Sequence, residues 1–135
     1  MKEQRRTNTY MRIIDASLQL FNEHGERNTS TNHIATHLGI SPGNLYYHFA
    51  NKDEIIVQLF QRYSQALLEY LNQAALPESI AQAIDYMKGV YDIMWDYRFL
   101  FSDVNTLLIR SSELLGQHND FTRARVSPLL LKLLT

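Results

Sequence analysis

The chain has 135 residues, 45% of them apolar and 20% charged, with a formal net charge of −1 and no cysteine. That composition suits one globular domain, or a small module fused to a larger one, and it excludes disulfides, thiolate metal sites and thiol catalysis. No apolar run approaches the length of a membrane span and the N-terminus MKEQRRTNTY lacks the apolar core of a signal peptide, so no membrane association is expected and the cytoplasm is the default compartment.

The charge is unevenly spread. Residues 1–52 carry six basic groups against four acidic ones, whereas residues 53–135 carry seven basic against ten acidic. The first segment is therefore +2 and the second −3. Four of the five histidines also lie in the first segment. A mildly basic head before an acidic body fits nucleic-acid binding by the head, and is equally common on an ordinary mixed surface.

In chain order, residues 1–9 read as a polar, basic, mobile arm. Arg5 and Arg6 could reach a phosphate or groove from such an arm, or simply belong to a frayed terminus. From Tyr10 to His24 the apolar residues recur at helical spacing through Ile13, Ile14, Leu18, Leu20 and Phe21, and Gly25 stands in the stop position.

The stretch from Thr29 to Lys52, TSTNHIATHLGISPGNLYYHFANK, organises the rest. Ala35, Gly39 and Leu45 have the spacing of a helix-turn-helix, with a small residue at the crossing, a glycine at the turn and an apolar residue beneath the second helix. Ser41 is the expected N-cap, with Pro42 at the first helical position. Asn51 with Glu54 is expected to form a capping box for the next helix. Leu38, Ile40, Leu45 and Phe49 supply the underside, leaving Asn44, Tyr46, Tyr47 and His48 outward, where aromatic and amide tips suit phosphates, thymine methyls and base edges. The expected core of the head is Ile14, Leu18, Phe21, Ile34, Leu38, Leu45 and Phe49. Thr31 and Asn32, at the start of the supporting helix, suit either a phosphate or plain capping.

Asp53 to Ala74 is the longest periodic element, through Ile55, Ile56, Leu59, Phe60, Tyr63, Leu67 and Leu71. Ile80 to Asp96 predicts a further helix, Arg98 to Leu108 a short one, and Ser112 to Leu134 a last one despite Pro128. With no strand alternation the fold is expected to be all-α. A DNA-binding head over residues 1–52 is joined by the long helix to a helical regulatory body over residues 53–135. Tyr63, Met87, Tyr91, Met94 and Trp95 are candidates to line a pocket for a small apolar or amphipathic ligand, against the alternative that they are plain core.

His33 and His37 are spaced to share a helix face, but no third ligand of suitable type lies nearby, so no metal site is expected. There is no phosphate-cradling glycine loop and no recognisable nucleophile context, so neither enzyme chemistry nor a cofactor is expected.

Taken together, Ile14, Ala16, Phe21, Gly25, Thr29, Ile34, Ala35, Gly39, Ser41, Gly43, Leu45, Tyr46, His48, Phe49 and Lys52 resemble the DNA-binding domain of the tetracycline-repressor (TetR) family of bacterial transcription regulators, and GISPGNLYYHFANKDEI is highly specific for it. Glu26 departs from the aromatic residue common after the glycine, and Asn28 from a small one. The resemblance implies that the helix begun by Ser41 enters the major groove. It implies phosphate contacts from Tyr46, His48 and Lys52, a base-facing surface of Pro42, Gly43, Asn44 and Tyr47, and support contacts from Thr31 and Asn32. It further implies a homodimer on a palindromic operator in double-stranded DNA, acting as a repressor released by a small-molecule ligand. The alternative is a DNA-binding adaptor whose body docks a protein partner. WDYRFLFSDVNTLLIRSSELL resembles a body subtype of such regulators. Members usually carry two further C-terminal helices for dimerisation, so the chain, ending within an apolar helix at Leu133-Leu134-Thr135, is expected to be an incomplete form of a longer protein.

Overall fold

The structure, a computed structural model, describes residues 2–102, with side chains from Asn8 onward. Six helices follow in order: α1 (Lys2–His24), α2 (Thr31–Leu38), α3 (Pro42–His48), α4 (Lys52–Gln73), α5 (Ile80–Asp96) and α6 (Phe99–Ser102). All regular structure among the described residues is helical, as the sequence periodicity requires. The last helix expected from sequence, from Ser112 onward, lies outside the described residues, as does most of the Arg98–Leu108 element.

The chain divides into two compact units, residues 1–59 and 60–135. The division falls inside α4 because the first part of that helix belongs to the head's core: Ile55, Ile56 and Leu59 are at most 1% exposed. They join Ile13, Ile14, Phe21, Ile34, Ala35, Leu45 and Phe49 in a continuous apolar interior. A three-helix core of some 50 residues is marginal by itself, and the added turns of α4 are what enlarge it.

Each helix of the head has a local reason to begin and end. α1 starts at Lys2 rather than Tyr10, so the expected mobile arm is helical; nothing in MKEQRRTNTY breaks a helix, since it holds neither glycine nor proline. α1 stops at Gly25, whose φ of 88° is left-handed and needs no Cβ. Ser17, fully buried in α1, donates its hydroxyl to the Ile13 carbonyl at 2.6 Å and so carries no unpaired polar group into the core.

α2 is opened by Ser30, whose Oγ accepts from the His33 amide at 3.1 Å while His33 Nδ1 accepts from the Ser30 amide at 3.2 Å. This is a capping box closed by histidine. α2 ends at Gly39 in the left-handed conformation, φ 70°, as the turn spacing requires. α3 is capped by Ser41, whose Oγ accepts from the Asn44 amide at 3.0 Å, with Pro42 in the first turn. At the start of α4 the expected box is only half formed. Asn51 Oδ1 accepts from the Glu54 amide, but the Glu54 carboxylate takes its bond from the Ala50 amide at 2.8 Å, one residue further out. Leu18 and Leu38, expected in the core, are only half-buried at its margin.

In the second unit the remainder of α4 meets α5 through Tyr70 and Tyr86. The Tyr70 hydroxyl donates to the Tyr86 carbonyl at 2.8 Å and the two rings lie 5.5 Å apart. Gly89 makes this approach possible, because a Cβ there would collide with the Tyr70 ring and hydroxyl. Tyr63 stands in an aromatic group with Phe60, Tyr97 and Phe101, its ring 5.8 Å from Tyr97 and 5.4 Å from Phe101 in edge-to-face contact.

Candidate nucleic-acid interface

α3 is a seven-residue helix with one face fixed and one face open. Leu45 is 0% exposed and anchors it from below, and Phe49 closes its C-terminal end. Tyr10 of α1 stacks on Phe49 with ring centroids 4.8 Å apart, and so braces α3 from the side. With that anchoring, Pro42, Gly43, Asn44, Tyr46 and Tyr47 are all left exposed. Tyr46 and Tyr47 are 50% and 63% exposed, unusual for aromatic rings on a helix that already has a buried face.

Tyr46 does not stand alone. Its hydroxyl lies 3.0 Å from Thr31 Oγ1, which is on the first residue of α2. The contact brings the start of the supporting helix to the outward face of α3, so Thr31, exposed Asn32 and Tyr46 form one polar patch beside α2's free amides. Such a patch can accept a phosphate while Asn44 and Tyr47 meet what lies beyond it. Ser41 contributes by capping, its hydroxyl being held by the Asn44 amide.

Two of the residues implied by the resemblance sit differently. His48 is half-buried, with its ring 6.2 Å from Tyr10 and 5.1 Å from Tyr47, both edge-on. It is packed between the exposed α3 face and α1. The Lys52 ammonium is engaged within the head. It donates to the Glu26 carbonyl at 2.9 Å and the Thr29 carbonyl at 3.0 Å, and lies 3.1 Å from the Glu26 carboxylate.

Three contributors escaped the reading of sequence alone: Tyr10, Arg12 and the Ser30–His33 box. Arg12 Nη2 donates to the Leu38 carbonyl at 3.2 Å, satisfying a terminal acceptor of α2 from 26 residues away. No local pattern announces a contact of that separation. The Ser30 cap was legible in principle, since serine before an apolar helical run is a start signal.

Among the ligand-pocket candidates, Tyr63 and Met94 are half-buried, whereas Met87, Tyr91 and Trp95 are each more than half exposed. Met87 and Tyr91 line a shallow apolar depression with Ile80, Ala83, Ile84 and the Lys88 stem. Trp95 stacks near Tyr91 at 6.3 Å and carries the Arg98 guanidinium 4.6 Å over its ring. Burial pushes the Tyr63 phenol above its ordinary range; burial and then the neighbouring Tyr70 do the same for Tyr86. Among the described residues no group of three His, Asp or Glu side chains is placed to hold a metal ion, and no helix is long and apolar enough to cross a membrane.

Residues 13–59 match the family described as bacterial regulatory proteins, tetR family, and residues 62–131 match the TetR family described as bacterial transcriptional repressor. The crystal structure of a TetR-family transcriptional regulator from Marinobacter aquaeolei VT8 superposes with a TM-score of 0.78 at 44% identity, covering 85% of this chain and 57% of that one. The fatty acid metabolism regulator protein of Bacillus subtilis (strain 168) is 27% identical over 121 residues, 90% of this chain and 60% of that protein. An HTH-type transcriptional regulator of Staphylococcus aureus (strain USA300) is 37% identical over 62 residues, 46% of this chain and 34% of that protein. The chain thus spans at most 60% of the length of these relatives.

Proposed function

Because the chain belongs to the TetR family of bacterial transcriptional regulators, we propose that it reads a palindromic operator as a homodimer and acts as a repressor. The observation that carries this is the open face of α3: a buried Leu45 below, and Asn44, Tyr46 and Tyr47 exposed above on a helix too short and too well anchored to need them for packing. Asn44 and Tyr47, with Pro42 and Gly43 allowing close approach, face the bases. Thr31, Asn32, Tyr46 and the edge of His48 meet phosphate, and Ser41 holds the first turn of α3 in place.

Binding-site selection from a random duplex pool, followed by anisotropy titrations, tests this. Asn44→Ala and Tyr47→Ala are expected to relax the preferred sequence, each good base contact being worth about 1–3 kcal/mol. Tyr46→Phe, which also removes the partner of Thr31, should weaken binding on every sequence alike. Unaltered affinity and preference in all three variants would overturn the assignment.

The body binds a small apolar or amphipathic molecule whose occupancy releases the operator. A relative whose name is fatty acid metabolism regulator protein supports that chemical class. A thermal-shift screen over amphipathic compounds is the test, since a ligand present at about 100 times its Kd should add roughly 2.7 kcal/mol. If no compound stabilises the chain while a protein partner does, the adaptor role replaces the inducer role.

A further inference from the structure

Lys52 is the first residue of α4, yet its charge is directed into the head. The ammonium is held by two backbone carbonyls and one carboxylate of the α1–α2 turn, at 2.9, 3.0 and 3.1 Å. An ammonium has three N–H donors, and each has an acceptor within the protein. The carboxylate it meets belongs to Glu26, whose side chain is only 7% exposed, and the lysine side chain is 23% exposed. Thr29, whose carbonyl takes one bond, is itself buried and donates its hydroxyl to the Gly25 carbonyl. Glu26 is also one of the two positions, with Asn28, at which the head departs from the pattern of the resemblance.

From this arrangement we infer that Lys52 is a positioning residue, a latch that ties the start of α4 to the α1–α2 turn through Glu26, and that it grips no phosphate. Moving the ammonium out to DNA would strip a nearly buried carboxylate of the cation beside it and take the lysine's bond from the Thr29 carbonyl, while the Glu26 carbonyl would keep only the Thr29 amide. Breaking a buried pair from one side is among the more damaging single changes to a fold, and a phosphate contact by Lys52 would require that break. The internal arrangement therefore wins. It also accounts for the first turns of α4 belonging to the head: Lys52 pins the outer end of a segment whose inner side is Ile55, Ile56 and Leu59. The positive charges that meet DNA must come from other side chains.

The test is a cycle of Lys52→Gln, Glu26→Gln and the double variant in the full chain, read by two measurements. Thermal unfolding should show a fall of several degrees in Tm for each single variant and a clearly less than additive fall for the double, because either change opens the same latch. Anisotropy on a short mixed-sequence duplex across a salt series gives the slope of log affinity against log salt. A lysine that neutralises a phosphate contributes about 0.9 to that slope, and for Lys52→Gln the expected change is none. A slope reduced by about 0.9 overturns the inference, as does an additive Tm cycle or an unchanged Tm in either single variant. Should Lys52→Gln fail to fold, ammonium NMR of the parent chain serves instead. The Lys52 signal is then expected to exchange slowly with water and to stay unshifted when the duplex is added, and a shift would overturn the latch. The DNA readout rests on the operator-binding assignment but the Tm cycle does not. Parent chain that binds no duplex would therefore break that assignment and leave the latch to be decided by Tm.

Discussion

The two units use their aromatic residues in opposite ways. In the head, Phe21 and Phe49 are buried and Tyr10 braces Phe49, while Tyr46 and Tyr47 stand out on a short helix whose other side is closed. In the described part of the second unit the pattern is broader: Ile80, Ile84, Met87, Tyr91 and Trp95 are all more than half exposed along one face of α5. Exposed rings in the head therefore sit on a finished core and are available to bind something. Those on α5 belong to a stripe at helical spacing, the pattern of a packing face. The same residue types carry different meaning according to whether the helix under them is already anchored.

Deleting the anchor is the strongest way to break this contrast. Phe21→Ala, at a site 1% exposed, should destabilise the head by about 3–5 kcal/mol in urea unfolding. A loss below about 1 kcal/mol would mean that the head's core is not the tight interior described. In the second unit Gly89→Ala forces the Tyr70 ring away and breaks its bond to the Tyr86 carbonyl. The expected loss is about 1–3 kcal/mol, with the tyrosine near-ultraviolet dichroism changing in step. At the turn of the helix-turn-helix, Gly39→Ala meets no steric neighbour but must hold φ 70°, which costs about 1–2 kcal/mol through the backbone alone. Loss of DNA affinity beyond that stability change would show that the turn also sets the pose of α3.

A pH titration probes the second unit through two of its phenols. Tyr63 and Tyr86 both have folded-state pKa values raised above the ordinary 10.0. The native state keeps those protons where the unfolded chain has lost them. This contribution to stability is complete below pH 10 and falls away as pH climbs past the native values. Alkaline difference absorbance should show Tyr63 and Tyr86 ionising late, and Tyr63→Phe should remove its part of that late change. The smallest effect is expected on α5: Met87→Ser, at an exposed site, should change stability by no more than about 0.5 kcal/mol. A larger loss would show that something covers this face in solution.

Much of the head was legible because its signals are local. Gly25 and Gly39 at positive φ, Ser41 before Pro42, and the spacing of Ile34, Ala35 and Leu45 are properties of a few neighbouring residues, and the helices follow from them. The bounds of α5 match Ile80 to Asp96 as the periodicity indicates, with Ser79 as cap. The exposure of Asn44, Tyr46 and Tyr47 was equally legible, since Leu45 dictates which side of so short a helix is hidden.

What local pattern could not supply are the contacts made across long separations. Whether residues 1–9 form an arm or a helix depended on nothing opposing helix propensity there, and α1 runs through them from Lys2. Periodicity marks an apolar face without saying whether anything covers it: Met87, Tyr91 and Trp95 stand exposed on α5, and Met87 and Tyr91 line an apolar depression there. The resemblance implied a phosphate contact from Lys52, but where so long a side chain turns depends on the acceptors that folding places near it. Here those acceptors, Glu26 and Thr29, lie 26 and 23 residues earlier in the chain. Sequence determined the helices, the turn and the outward face of α3, because backbone preferences and hydrophobic spacing act over a few residues. Only the tertiary structure decided where the Lys52 charge goes, because that depends on which buried acceptors folding brings within 3 Å of it.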